Sequence, residues 1–194
     1  FDNVLGHLYS AQEKSRRQFD GIAQGAYANT APDGTRIEAH VYDGPPDTIM
    51  QQPHPDPGET YPHVNTQLFD VERPPFNAPI SAVDPRNEGF VRDYIANFRR
   101  SLDREPTADE YRVVMGGFSP AMMPVLSTLA REFAVYDRWF SAVPSQTYCN
   151  RSFFHASTSH GFVVNHDGHS YRKWLDAPAS PTIFDRLEEA GLTW

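Results

Sequence analysis

An α/β fold with a largely parallel sheet is what this sequence predicts, on three observations. Segments with the 3.6-residue apolar period of a helix alternate with short apolar, aromatic runs suited to buried strands. A further strand is expected to begin at Leu192, after a third helix. A polar turn carrying a hydroxyl residue, Thr147, follows one of the predicted strands, and such sheets bind ligands at the carboxyl ends of their strands.

The first helix is expected over Glu88–Leu102, where Phe90, Val91, Tyr94, Ile95, Phe98 and Leu102 share one face and Arg92, Asp93, Arg99 and Arg100 the other. Ser119-Pro120 announces the second, as an N-cap followed by proline at the first helical position. Its apolar stripe is Met122, Val125, Leu126, Leu129, Ala130 and Phe133. Thr182 to about Ala190 gives the third, with Thr182 and Asp185 as a capping box and Gly191 as the stop. Buried strands are expected near Ala134–Phe140 and Gly161–Val164.

The stretch from Ala31 to Pro85 reads differently. Gly44-Pro45-Pro46, Pro53-His54-Pro55-Asp56-Pro57-Gly58 and Pro74-Pro75 remove backbone donors and fix φ, so a regular core element is not expected there. A loop of that length, punctuated with His and acids, points to function.

Size and charge narrow the classes. The 194 residues suit one domain with a real core, and 39% apolar and 13% aromatic residues exclude disorder throughout. A net charge of −8 argues against nucleic acid or an anionic membrane as the main partner, although 15 of the 17 basic residues are Arg and a local cationic site remains open. The single cysteine, Cys149, excludes an internal disulfide or a Cys-based zinc site. No apolar run reaches membrane-spanning length. The chain opens at Phe1 and stops at Trp194, so a piece of a longer protein is expected.

The most informative stretch is Val143 to Gly161. Thr147 stands in a polar turn and Asn150-Arg151, three residues later, open the expected helix, so its hydroxyl lies near unpaired backbone N–H groups and the positive end of the helix dipole, a setting that favours an anionic ester. Arg151 adds a planar donor for phosphate or sulfate oxygens, and its neighbours Phe153-Phe154 predict partial burial. From these residues alone, Thr147 is a nucleophile or simply a helix cap. Asn150 contributes to the site or closes a turn.

Met115-Gly116-Gly117-Phe118, Leu129–Val135, Asp137-Arg138-Trp139-Phe140, Ser141–Ser145, Thr147-Tyr148-Cys149-Asn150-Arg151 and His155–Ser159 together resemble the phosphoesterase family of bacterial and plant non-specific phospholipases C and certain bacterial acid phosphatases. Phe1–Gly6 resembles the tail of that family's first motif, Glu-Asn-Arg-Ser-Phe-Asp. His54–Gly58 with Asn65-Thr66-Gln67 resembles its second.

The resemblance implies an alkaline-phosphatase-like, mostly parallel sheet flanked by helices. On that basis residues 1–194 are part of a catalytic domain, with 31–85 an irregular Pro/Gly-rich insertion and 88–194 the α/β core, incomplete here. It implies hydrolysis of a phosphate ester or phospholipid through a phosphothreonine at Thr147, whose oxygen also touches a divalent metal ion. Asn150 and Arg151 would shape the turn and hold phosphate oxygens; from the donor types of their own loop, Glu59 and His63 are expected to bind the phosphate as well. The family's Glu-Asn metal ligands would precede Phe1, and its later acids and histidines would follow Trp194. Cys149 replaces the usual proline before Asn-Arg, and Glu59 stands where many members carry His. Relatives are frequently exported, so a periplasmic or extracellular protein is expected.

Other groups read more plainly. His54 and His63, with Asp56 and Glu59, have the donor types of a metal or phosphate site but equally suit a solvated loop. His155 is expected as a hydrogen-bonded core residue. His160, His166, Asp167 and His169 fit no established metal spacing and are read as a surface loop. Glu188-Glu189 and Arg99-Arg100 are solvated faces. A non-catalytic module binding a phosphorylated head group is the alternative from another class. A sulfatase-like esterase is weaker, because Cys149 lies in no sulfatase motif.

Overall fold

The computed structural model describes residues 1–10, 12–13, 19–22, 27–71, 84–165, 172 and 175–194. Pro74-Pro75, His166, Asp167 and His169 lie outside them. The chain divides into two compact units, Phe1–Gly58 with Thr66–Trp139, and Glu59–Asn65 with Phe140–Trp194.

The first unit contains α1 (Asp2–Leu5), β1 (Ala28–Thr30), β2 (Arg36–Glu38), β3 (His40–Val41) and α2 (Pro46–Ile49). Helix α3 (Tyr61–Phe69) gives its first residues, as far as Asn65, to the second unit and the rest to the first. The first unit continues with α4 (Phe90–Leu102), α5 (Ala108–Arg112), a 3-10 turn at Val113–Met115, β4 (Gly116–Gly117) and α6 (Pro124–Glu132). The second unit contains α7 (Thr147–Ala156) and α8 (Ile183–Glu189).

Helices and strands are thus mixed, as an α/β chain requires, but the sheets are small. β1 pairs antiparallel with β2, with Asn29 opposite Ile37, and β3 pairs parallel with β4, with His40 opposite Gly116. A largely parallel sheet is not seen among the described residues. The runs Ala134–Phe140 and Gly161–Val164 are not strands, and neither is Leu192–Trp194. Polar ties hold the first run: the Asp20 N–H donates to Asp137 at 2.6 Å and Arg138 lies 3.6 Å from the Asp20 carboxylate. In the second, the Phe162 N–H and the Ser159 hydroxyl close a local turn. Trp194 packs against Phe184, with ring centroids 4.7 Å apart.

The Ala31–Pro85 expectation also needs correction, because β2, β3, α2 and α3 all fall inside it and Ile37, Ala39, Tyr42 and Ile49 are buried. Its prolines sit where rigidity helps. Pro32 and Asp33 form the centre of the β1–β2 turn, with the Gly34 N–H donating to the Ala31 carbonyl at 2.9 Å and Gly34 at φ +89°. Pro46 opens α2, and Pro62 lies in the first turn of α3, where a missing N–H costs nothing.

Helix α4 carries the main core, as its periodicity predicts. Val91, Tyr94, Ile95 and Phe98 pack with Ala31, Ile37 and Tyr111. Burying each large side chain stabilises the fold by about 1.5–3 kcal/mol. Its start is capped from a distance: buried Asn29 accepts from the Val91 N–H at 3.1 Å and donates to the Asn87 carbonyl at 2.8 Å. Asp93, expected on the solvent face, is buried, because Gln67 Nε2 donates to its carboxylate at 2.8 Å.

Tyr42 anchors the second cluster, with Ile49 and Phe118. Its hydroxyl accepts from Asn3 Nδ2 at 2.9 Å and donates to the Val113 carbonyl at 3.1 Å. Gly116 permits this approach, since a Cβ there would meet the Tyr42 ring at 2.0 Å.

Helix α6 begins at Pro124, not at Pro120. In a helix started at residue 120, Pro124 would lack the N–H owed to the Pro120 carbonyl and its ring would clash with it. Ser119 instead closes a turn, its carbonyl accepting from Met122 and Met123. The expected apolar stripe is not the buried one: Val125, Leu126, Leu129 and Phe133 are exposed and Ser127 is buried. One turn after Ser127, Arg131 donates to the Leu8 carbonyl at 2.6 Å and lies 5.7 Å over the Tyr9 ring, so this helix is held by its polar side.

Among the described residues no helix is long and apolar enough to cross a membrane.

Candidate active site

Helix α7 starts at Thr147, three residues ahead of the Asn150-Arg151 opening that the sequence suggests, with Gln146 as N-cap in an extended conformation (φ −76°, ψ 178°). The cap makes no side-chain bond to its own helix. Asn165, from a later loop, substitutes: its Oδ1 accepts from the Tyr148 N–H at 2.7 Å. Thr147 is exposed and its hydroxyl neither caps the helix nor bonds to any described residue. The capping role considered for Thr147 is therefore not the one it plays in this geometry.

The turn in front of the helix is built by Asn150. Its Nδ2 faces the carbonyls of Val143, Ser145 and Gln146 at 3.1, 3.0 and 3.0 Å, and its Oδ1 accepts from the Val143 N–H at 3.0 Å. The amide is directed at the turn that presents Thr147. Cys149, in the place of the usual proline, is a buried thiol donating to the Gln146 carbonyl at 3.0 Å. Nothing leaves it accessible as a nucleophile. Ser145 donates to the Val163 carbonyl, which ties the turn to the loop that carries Asn165.

Gln146, not singled out by the sequence, is the hub. It is 4% exposed, and both ends of its amide are bonded. Nε2 donates to Glu59 Oε1 at 2.9 Å, and Oε1 accepts from the Asn165 N–H at 2.9 Å. Glu59 is thereby joined to the Thr147 turn, although its carboxylate is otherwise exposed. The only local signal for Gln146 is its place before Thr147. For Asn165 there is none, because both contacts are long in sequence.

Arg151 is exposed, which corrects the partial burial inferred from Phe153-Phe154. A buried anionic partner is thus not required to compensate it. It stands one helical turn after Thr147, on the same face, and helical side chains lean towards the N-terminus. His63 is half-buried in the first turn of α3, not in a loop. His54 is exposed. His155 is half-buried on α7, its ring 5.3 Å from that of Phe184, and its buried Nδ1 has no hydrogen-bond partner, contrary to the expected bonded core histidine. His160 Nε2 lies 3.3 Å from the Ser180 hydroxyl.

Among the described residues no group of three or more His, Cys, Asp or Glu is placed to hold a metal ion. The Thr147 oxygen is one donor without companions here, so these residues alone do not make a metal centre.

Comparison with known proteins gives a consistent likeness. The phosphoesterase family matches residues 1–194. Non-specific phospholipase C3 of Arabidopsis thaliana is 31% identical over 195 residues, covering 100% of this chain and 33% of the relative. Non-specific phospholipase C1 of the same plant is 32% identical over 196 residues, covering 100% and 31%. Non-specific phospholipase C4 is 29% identical over 195 residues, covering 100% and 32%. The chain spans about a third of the length of these curated relatives.

Proposed function

Because this chain belongs to the phosphoesterase family, we propose that it carries the nucleophile of a phosphoric ester hydrolase of phospholipase C or acid phosphatase type, with Thr147 as that nucleophile. The observation that carries the reading is the state of Thr147: an exposed hydroxyl without a hydrogen bond, at the first residue of a ten-residue helix. The turn before it is braced by Asn150 and Gln146. Left out of its own helix's capping, the hydroxyl is open to a substrate and to the group that activates it.

In this reading the ester's phosphoryl group sits against the N-terminus of α7, where N–H groups and the helix dipole favour its charge. The Thr147 oxygen attacks phosphorus as its proton passes to water, and the P–O bond to the alcohol breaks, the leaving oxygen taking a proton from water. Water then attacks the phosphothreonine, returning the hydroxyl and releasing the phosphate product. Arg151, from the next turn, adds charge beside the phosphate oxygens. Asn150 acts on the shape of the turn, since its amide is bonded there. A divalent ion with the Thr147 oxygen among its ligands would supply charge that favours the alkoxide. The described residues gather no ligand set for it. The alkaline-phosphatase-like fold belongs to the same proposal.

The names of the similar proteins favour a phospholipid diester as substrate. The test uses the full-length protein with a chromogenic phosphodiester and a chromogenic monoester. Thr147→Ala is expected to remove nearly all turnover of whichever is cleaved without lowering the melting temperature, and peptide mass spectrometry of a quenched wild-type reaction is expected to find phosphate on Thr147. Unchanged turnover in the variant rejects the reading. Tight binding of a phospholipid head group without any turnover favours a binding module instead.

A further inference from the structure

We propose that Glu59 and Gln146 act as a pair of positioning residues for Thr147, an inference that rests on the phosphothreonine reading above. Gln146 is buried although its neighbour Thr147 is exposed. Its amide is gripped at both ends, by the Glu59 carboxylate through Nε2 (2.9 Å) and by the Asn165 N–H through Oε1 (2.9 Å). Asn165 also holds the residue on the other side, accepting from the Tyr148 N–H at 2.7 Å. The residues before and after Thr147 are therefore pinned by one network, while the threonine hydroxyl takes no part in it.

Glu59 supplies the acceptor that completes this brace. A hydrogen bond to an ionised carboxylate is stronger than one between neutral groups. It is also direction-setting, since it fixes which end of the Gln146 amide faces Asn165. The carboxylate does not serve as a phosphate contact in this arrangement, because like charges would repel. Its effect on the reaction is transmitted through Gln146 to the placement of the Thr147 oxygen. Misplacing a reacting group by about 1 Å can cost on the order of a hundredfold in rate.

The pair offers a swap that separates placement from folding and from charge. In the full-length protein, with a chromogenic phosphodiester, Glu59→Ala is expected to lower kcat by about ten- to a hundredfold with little change in KM. Glu59→Gln keeps an oxygen acceptor and is expected to recover most of the rate. Gln146→Glu sets two carboxylates face to face and is expected to lose about a hundredfold. The double variant Glu59→Gln, Gln146→Glu reverses donor and acceptor, keeps the net charge and leaves an oxygen for the Asn165 N–H, so it is expected to restore kcat towards wild type.

Equal impairment of Gln146→Glu and the double variant overturns the proposal, as does an effect confined to KM or wild-type turnover in Glu59→Ala. Should Gln146→Glu fail to fold, the Glu59→Ala and Glu59→Gln pair decides alone, since Glu59 is exposed. Thr147→Ala runs alongside: if it keeps the rate, the phosphothreonine reading itself fails. If it loses the rate while the Glu59 variants do not, only the positioning role fails.

Discussion

Asn150 and Val143 bond to each other in both directions: the Asn150 Oδ1 accepts the Val143 N–H at 3.0 Å, and its Nδ2 donates to the Val143 carbonyl at 3.1 Å. The side chain thus imitates a strand partner for one residue of the turn, and the same nitrogen faces the carbonyls of Ser145 and Gln146. Removing it leaves half-buried main-chain groups unpaired, which costs about 1–3 kcal/mol. Asn150→Ala is therefore expected to destabilise the protein by about that amount in urea unfolding. Asn150→Asp is expected to be worse despite its similar shape, because it removes the donor and points a carboxylate at three carbonyl oxygens. If Asp were tolerated as well as Asn, the amide nitrogen would not be what closes this turn.

Arg151 gives the opposite expectation. It is exposed, so its removal disturbs no packing, and surface substitutions usually change stability by less than about 0.5 kcal/mol. Its proposed task is to attract and orient a phosphate one turn away, at Thr147. Arg151→Ala is expected to unfold at the wild-type urea midpoint while raising KM for a phosphodiester by about tenfold, the cost of one charge-assisted contact. Arg151→Lys should recover part of the loss, since it keeps the charge without the planar fork. Raised salt should narrow the difference between Arg151→Ala and wild type, as expected for an exposed cation. A lowered unfolding midpoint with unchanged KM would contradict the assignment.

What the sequence made legible was what is local. The α4 core of Val91, Tyr94 and Phe98 follows from a 3.6-residue period, and the Thr182–Asp185 capping box from residues three apart, both found as read. A helix beginning beside Thr147 belongs with them, although it takes in Thr147 itself instead of opening at Asn150. The start of the second helix is ambiguous in sequence because two prolines compete for it, and Pro124, not Pro120, begins the helix. The burial of Asp93 is not legible locally, because its partner Gln67 lies 26 residues away. The aromatic run before the turn looked like a buried strand, yet Tyr136, Trp139 and Phe140 are exposed. Composition describes what a run suits and says nothing of what pairs with it. The same limit hid the brace around Thr147, since Gln146 and Glu59 are 87 residues apart. Thr147 stands out in the motif; Gln146 and Glu59, which bond beside it, do not.

Tyr94 offers a test of the α4 core that involves no catalysis. The residue is 1% exposed, and its hydroxyl is buried with no hydrogen-bond partner. Burial pushes the phenol up from 10.0 to about 12, with Glu110 adding repulsion of the charged form. An unpaired buried hydroxyl costs about 1–3 kcal/mol, so Tyr94→Phe is expected to stabilise the protein by about 1 kcal/mol at neutral pH while keeping the ring against Phe98. The pH dependence has a definite sign. Between pH 10 and about 12 the unfolded chain has lost the Tyr94 proton and the folded one has kept it. The unfolded state then binds fewer protons, so stability falls as pH rises through this window. Tyr94→Phe cannot make that contribution, so its advantage over wild type should widen from pH 10 towards 12 and be flat below it. Urea unfolding of both proteins at a series of pH values measures the difference directly, and the titrations of the other tyrosines, common to both, cancel. A gap that stayed constant through the alkaline range would mean that the Tyr94 phenol ionises as it does in water, and that its hydroxyl is not sealed into the core.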